Sequence, residues 1–208
     1  ASRKRRSCSN GSIQRGLRGR GPVLSATPSS ISQGQCTRLG TASVALIHKD
    51  KVLLISPYFV PGKGGTTSLA EAATAGKGIR ILTNSLAAND VAMVYGAYVE
   101  YRETLLESGV QLWELKPLPG SKTTYSMFGS GGSSLHTKGL SVDEETLVVG
   151  SYNLDARSTE LNTEQVVMVG SPELARQFMG IFDQQASGDR SWKVTLSDGH
   201  TSWTDGVK

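Results

Sequence analysis

The sequence predicts an α/β protein: a layered β-sheet flanked by helices. Short apolar runs rich in β-branched residues recur along the chain, and two of the gaps between them carry helical patterns. Gly and Pro punctuate the junctions. Residues 52–56 read as a buried strand ending at a loop marked by Pro57, Pro61 and Gly62. Residues 68–76 form a short Ala-rich helix with a Gly76-Lys77-Gly78 stop, and residues 79–84 are the next strand. Asp90 is placed to cap a long helix reaching about Ser108, with Gly109 as its terminator. Residues 110–115 return as a strand. This β-α-β-α-β order is the pattern of α/β layers.

The next stretch carries chemistry. Residues 135–142 and 146–149 flank an acidic turn, Asp143-Glu144-Glu145, and predict a hairpin. His136 and Lys138 are two apart, so a strand projects both to one face. Past Gly150, Ser151 and Asn153 are also two apart. In-register pairing would bring these four polar groups to one end. Such a set suits a phosphodiester. Lys138, Ser151 and Asn153 can donate to non-bridging phosphoryl oxygens, where transition-state charge resides. A neutral His136 can attack phosphorus and split one hard step into two. A carboxylate should fix its tautomer. Glu164, which opens the strand-like run at 165–169, is the candidate. Asp143, in the turn, is expected to brace the hairpin. The Gly/Ser-rich segment 120–134 either covers the site or connects strands.

The pattern His136-x-Lys138-x4-Asp143-x6-Gly150-Ser151-x-Asn153 resembles the HKD motif of the phospholipase D superfamily, and Glu164 resembles its downstream acidic residue. The resemblance implies a phospholipase D-like sheet carrying a single HKD half-domain. It assigns catalytic roles to His136, Lys138, Asp143, Ser151, Asn153 and Glu164. It also implies a phosphohistidine intermediate, formed on His136 or on its counterpart in a second motif, with the other imidazole as general acid. The chain has one such motif, so a second HKD half is an expected partner: a missing N-terminal half or a homodimer mate. From residue 52 onward, segments such as 151–164 resemble the second half of bacterial cardiolipin synthase-like proteins. That implies phosphatidyl transfer or phospholipid hydrolysis, with a phospholipid substrate and no metal or other cofactor. One alternative is a homodimeric endonuclease of the same superfamily. Another is an inactive half-domain serving as an interaction module.

Charge separates the chain into two parts. Residues 1–40 hold eight of the 22 basic residues and none of the 18 acidic ones. Residues 41–208 therefore carry 14 basic against 18 acidic residues, a net of −4, which argues against a basic nucleic-acid groove. The Gly/Ser/Arg-rich tail 1–40 is expected to be disordered, a membrane- or nucleic-acid-binding arm, or non-native sequence preceding a catalytic half-domain at 41–208. The chain does not begin with Met, consistent with the last of these. Cys8 and Cys36 both lie in the tail, so the body has no disulfide framework. No run of about eighteen apolar residues marks a membrane span. The expected location is the bacterial cytoplasm or the periphery of the inner membrane. Tyr95, Tyr98 and Tyr101 form a stripe expected to pack in the core. Arg157 is expected to pair with an acid or a lipid headgroup, and His48 and His200 to lie on the surface.

Overall fold

The computed structural model describes residues 49–89, 91–117 and 135–205, and the backbone of two N-terminal strands, β1 (Gln14–Arg15) and β2 (Pro22–Ala26). The elements that follow are β3 (Lys51–Ile55), α1 (Gly62–Thr74), β4 (Gly78–Asn84), α2 (Ala92–Glu107), β5 (Gln111–Leu115), β6 (Gly139–Val142) and β7 (Thr146–Gly150). The chain continues through α3 (Ala156–Glu160), β8 (Glu164–Gly170), α4 (Pro172–Gln185), β9 (Ser191–Ser197) and β10 (His200–Thr204). Strands β3 to β10 form one open mixed sheet in the order β8-β7-β6-β3-β4-β5-β9-β10, and β2 and β1 extend its β8 edge.

The α/β expectation holds. β3, β4 and β5 are parallel, and every other pairing is antiparallel. Both crossovers, β3-α1-β4 and β4-α2-β5, step the same way across the sheet. Right-handed connections therefore place α1 and α2 on one face. That face buries Val52, Leu69, Ala72, Ile79, Ile81, Tyr98, Leu105 and Leu112 in one cluster. The opposite face buries Leu53, Ile55, Leu82, Trp113 and Leu147 against Phe178 and Phe182 of α4. A fully buried Phe contributes roughly 1.5–3 kcal/mol by area alone, so α4 is a major clamp.

Several boundaries differ from the sequence expectation. α1 begins at Gly62, six residues early. The run Gly62-Lys63-Gly64-Gly65 reads as loop because each helical Gly costs about 1 kcal/mol relative to Ala. Burial of Thr66, Leu69 and Ala72 on one stripe offsets that cost, and the Thr66 hydroxyl donates to the Gly62 carbonyl at 2.7 Å. β6 begins at Gly139 rather than 135. α2 has Val91 at its cap position with no side-chain cap, and Asp90 lies outside the described residues. Gly109 does terminate the helix, at φ 96°, a left-handed conformation that glycine adopts without strain. Neither α3 nor α4 was expected. The signals for α4 are the Ser171 cap, Pro172 at the first turn and Phe178–Phe182 spacing. Apart from the backbone of β1 and β2, the expectations for residues 1–40, Cys8, Cys36, His48 and segment 120–134 lie outside the described residues. His200 is exposed. Among the described residues no helix is long and apolar enough to cross a membrane.

A buried polar cluster ties α2, β5 and β10 together. Glu114, 1% exposed, accepts from Tyr95 Oη at 3.2 Å and from Trp203 Nε1 at 2.9 Å. Arg102 Nη1 lies 3.4 Å from its carboxylate, and the guanidinium sits 4.9 Å over the Trp203 ring. Burial pushes the Glu114 carboxyl above its ordinary value. Burial, then the Glu114 charge, pushes the Tyr95 phenol up to about 12. The Tyr stripe packs as expected: Tyr98 lies 5.7 Å from Tyr95 and 5.9 Å from Phe59. Removing one partner of a buried ion pair costs about 3–5 kcal/mol, because the other charge stays buried alone. Arg102→Met should lower unfolding stability by that order in urea titrations. Combining it with Glu114→Leu should restore most of the loss.

Candidate active site

The β6–β7 hairpin pairs Gly139 with Val149, Leu140 with Val148 and Val142 with Thr146. Its turn is closed by Glu145 N–H donating to the Val142 carbonyl at 3.0 Å, with Asp143 and Glu144 at φ 52° and 58°. Positive φ at both central residues is the turn that matches strand twist. β8 adds to β7 with Gly150 opposite Val166. This register carries His136, Lys138, Ser151, Asn153 and Glu164 to one end of three adjacent strands. Ile55, the last residue of β3, pairs with Gly139. That end is therefore also the carboxyl end of the parallel strands, where open α/β sheets bind ligands.

His136 is exposed. Lys138 Nζ donates to the His136 carbonyl at 2.9 Å and lies 3.5 Å from its Nδ1, so imidazole and ammonium project together. The Gly150 N–H donates to the Lys138 carbonyl at 3.3 Å, closing the ladder beside them. The Ser151 hydroxyl donates a hydrogen bond to Glu164 Oε2 at 2.5 Å and accepts from Gln165 N–H at 3.0 Å. Asn162 Nδ2 donates to the other oxygen of Glu164 at 3.3 Å. The Glu164 carboxylate thus engages Ser151 and Asn162. Among the described residues no hydrogen bond joins it to His136, so the expected carboxylate–imidazole contact is not made in this arrangement. Asn153 is buried, its N–H donates to Ser158 Oγ at 3.2 Å, and its Oδ1 has no partner among the described residues.

The structure does not bring Asp143 to this end. It sits at the far turn, where Oδ1 accepts from Lys51 N–H at 2.9 Å and its own N–H donates to the Lys51 carbonyl at 2.8 Å. These bonds brace the hairpin against β3. Arg157 is exposed and makes no ion pair among the described residues.

Other residues hold the rim. Asp155 caps α3, accepting from Ser158 N–H at 2.7 Å, and burial raises its carboxyl pKa. Ser56, 1% exposed, accepts from Leu154 N–H at 3.2 Å, and the Leu154 carbonyl accepts from Val60 N–H at 2.7 Å. Asn84 Oδ1 accepts from Leu135 N–H at 3.0 Å, and Asn84 Nδ2 donates to the Leu135 carbonyl at 3.4 Å. Sequence reasoning missed Ser56 and Asn84. Both sit at strand ends with no motif spacing to flag them. An apolar cavity lined by Leu54, Leu69, Leu140, Val148 and Leu154 lies beside Lys138.

The fold and its polar carboxyl end define a phospholipase D-like domain. Residues 44–186 match the family described as "Cardiolipin synthase, PLD-like domain", and the chain belongs to that family. It is 41% identical over 160 residues to cardiolipin synthase C of Escherichia coli K12, covering 75% of this chain and 34% of that protein. It is 30% identical over 146 residues to cardiolipin synthase A of Pseudomonas aeruginosa, covering 70% and 26%. The chain thus spans a quarter to a third of the length of these relatives. Two solved structures share the fold. Phosphatidylserine synthase of Haemophilus influenzae has a TM-score of 0.57 at 18% identity, over 83% of this chain and 39% of that one. Nuc, a phospholipase D family member from Salmonella typhimurium, has 0.55 at 17%, over 74% and 90%.

Gly150 reports on the site's register. A Cβ there would lie 2.0 Å from the Gln165 carbonyl oxygen. That oxygen also accepts from Ser151 N–H at 2.9 Å. Gly150→Ala must push β7 away from β8. The expected outcome is a fall of about 2 kcal/mol or more in stability, the upper part of the usual range for point mutations. Loss of protection of the Ser151 amide in hydrogen exchange should accompany it.

Proposed function

We propose that this chain is one half of a phosphatidyl-transferring enzyme. The observation that carries the reading is the convergence of His136, Lys138, Ser151, Asn153 and Glu164 at one strand end, in a domain of the cardiolipin synthase family. An imidazole nitrogen attacks phosphorus, forming a P–N bond as the P–O bond to the first alcohol breaks. The second imidazole, supplied by another HKD half, gives its proton to that leaving oxygen. An acceptor hydroxyl, or water, then attacks phosphorus, breaks the P–N bond and returns a proton to the second imidazole. A glycerol hydroxyl of another lipid as acceptor yields the transfer product. Lys138 and Asn153 stabilise the negative oxygens throughout. Glu164 sets the Ser151 hydroxyl, and Asp143 keeps the hairpin in register from its far end.

Three features favour a lipid over a nucleic-acid diester. Relatives of known name include cardiolipin synthases, the cavity beside Lys138 is apolar, and residues 41–208 carry a net negative charge. A phospholipid substrate places the protein at a membrane periphery. The second half is supplied by sequence elsewhere or by a second copy of this chain.

The test is turnover of labelled phosphatidylglycerol and of a single-stranded DNA diester, measured at high protein concentration. Lipid turnover should occur and should fall at least about 10³-fold in His136→Ala, the scale of loss when a nucleophile is removed. Lys138→Met should lose about 10²–10³-fold, as expected for one oxyanion donor. Full activity in His136→Ala would overturn the mechanism. Turnover of DNA alone would identify a nuclease, and no turnover of either, with a second HKD half also supplied, would identify a non-catalytic module.

A further inference from the structure

Asn84 occupies the last position of β4, on the scaffold side of the site, and is 1% exposed. Its side-chain amide meets the backbone of Leu135 twice. Oδ1 accepts the Leu135 N–H at 3.0 Å, and Nδ2 donates to the Leu135 carbonyl at 3.4 Å. A carboxamide is the one side-chain group that presents a donor and an acceptor side by side, as a neighbouring strand would. β6 proper begins only at Gly139 and the last ladder bond reaches the Lys138 carbonyl, so residues 135–137 lie outside the ladder. The amide supplies the pairing that the ladder no longer gives.

Leu135 is thereby fixed by two independent means. Its backbone is clasped, and its side chain, 7% exposed, packs in the cluster with Ile55, Leu82 and Phe178. The next residue is His136. Its own carbonyl is held by Lys138 Nζ at 2.9 Å. The exposed imidazole thus projects from a segment anchored on both sides, with the Lys138 ammonium 3.5 Å from its Nδ1.

We infer that Asn84 is a positioning residue for His136: it fixes the backbone from which the imidazole projects, without touching the substrate. The inference takes its importance from the proposed function, but its structural content stands apart from it. A displacement of about 1 Å at a reacting group can cost about 10²-fold. Losing the clasp should therefore act on kcat and leave substrate binding largely intact.

The experiment compares wild type, Asn84→Ala and Asn84→Asp in the full chain. Asn84→Asp keeps the acceptor for Leu135 N–H and loses the donor. The first readout needs no activity. Imidazole signals are followed by NMR, with the His136 signals identified by their loss in His136→Ala. Asn84→Ala should shift or broaden the His136 signals and leave those of His200 in place. The second readout is turnover of labelled phosphatidylglycerol. Asn84→Ala should lose about 10–100-fold in kcat, with KM within about twofold, on the positioning scale above. Asn84→Asp should fall between it and wild type, and it serves as the comparison if Asn84→Ala does not fold. Unchanged His136 signals overturn the inference. So do equal shifts at His136 and His200, or a loss that appears only in KM. If wild type turns over no diester, a second copy of this chain does not complete the site, and the imidazole signals alone decide the role of Asn84.

Discussion

The register of β6, β7 and β8 is the constraint on which the site depends. Side chains alternate along a strand, so a one-residue slip sends every residue to the opposite face. Such a slip would separate Lys138 from Ser151 and Ser151 from Glu164. Three local features hold the register. The three-residue loop Asp143-Glu144-Glu145 between paired Val142 and Thr146 sets the count, and Asp143 pins it to Lys51. Gly150 lets β7 lie against the Gln165 carbonyl closer than any side chain would permit. Gly139 does the same for the Phe178 ring, where a Cβ would lie 2.6 Å from Cε2. The two glycines bracket the hairpin where it meets the site, one against β8 and the other against α4.

The site end is held differently from the core. Its groups are tethered by side chains that reach across strand termini: Asn84 to Leu135, Ser56 to Leu154, and Asp155 to the first turn of α3. The Ser151–Glu164 bond has a charged acceptor, a type that contributes about 1.5–3 kcal/mol net, above the usual neutral pair. On the other flank the Glu114–Arg102 pair lies against aromatic rings, away from the hairpin. Among the described residues two carboxylates are thus buried, in different settings. Glu114 cross-links α2, β5 and β10. Glu164 serves a hydroxyl beside the exposed imidazole and ammonium.

Much of this was legible in the sequence, because period-2 apolar runs and Gly/Pro punctuation report strands and their ends directly. The β3-α1-β4-α2-β5 order and the hairpin followed from such runs, and the shared face of His136 and Lys138 followed from spacing alone. The start of α1 was not legible, since tertiary burial of Thr66 and Leu69 outweighs the weak helix propensity of three glycines. The partner of Glu164 was not legible either. Sequence gives a carboxylate near a His, but the β7–β8 register decides that Ser151 stands closer. Asn84 and Ser56 escaped notice because their roles are backbone clasps, which leave no spacing pattern. Asp143 was legible as a turn residue: it lies in the motif by spacing and braces the hairpin at the opposite end of the strand.

Among the described residues the site holds a single imidazole, and the proposed chemistry calls for a second, which is why a second half is part of it. The phosphoryl-binding half should nevertheless be recognisable in this chain alone. The most direct measurement is an NMR titration of the chain with inorganic vanadate, whose five-coordinate form mimics phosphorus in transfer. Shifts at the His136 imidazole and at the Ser151 and Asn153 amides, following one binding curve and absent from His200, are the expected result. Shifts confined to other surfaces, or no change at His136 at saturating vanadate, would contradict a phosphoryl site at the end of the β6–β7–β8 ladder.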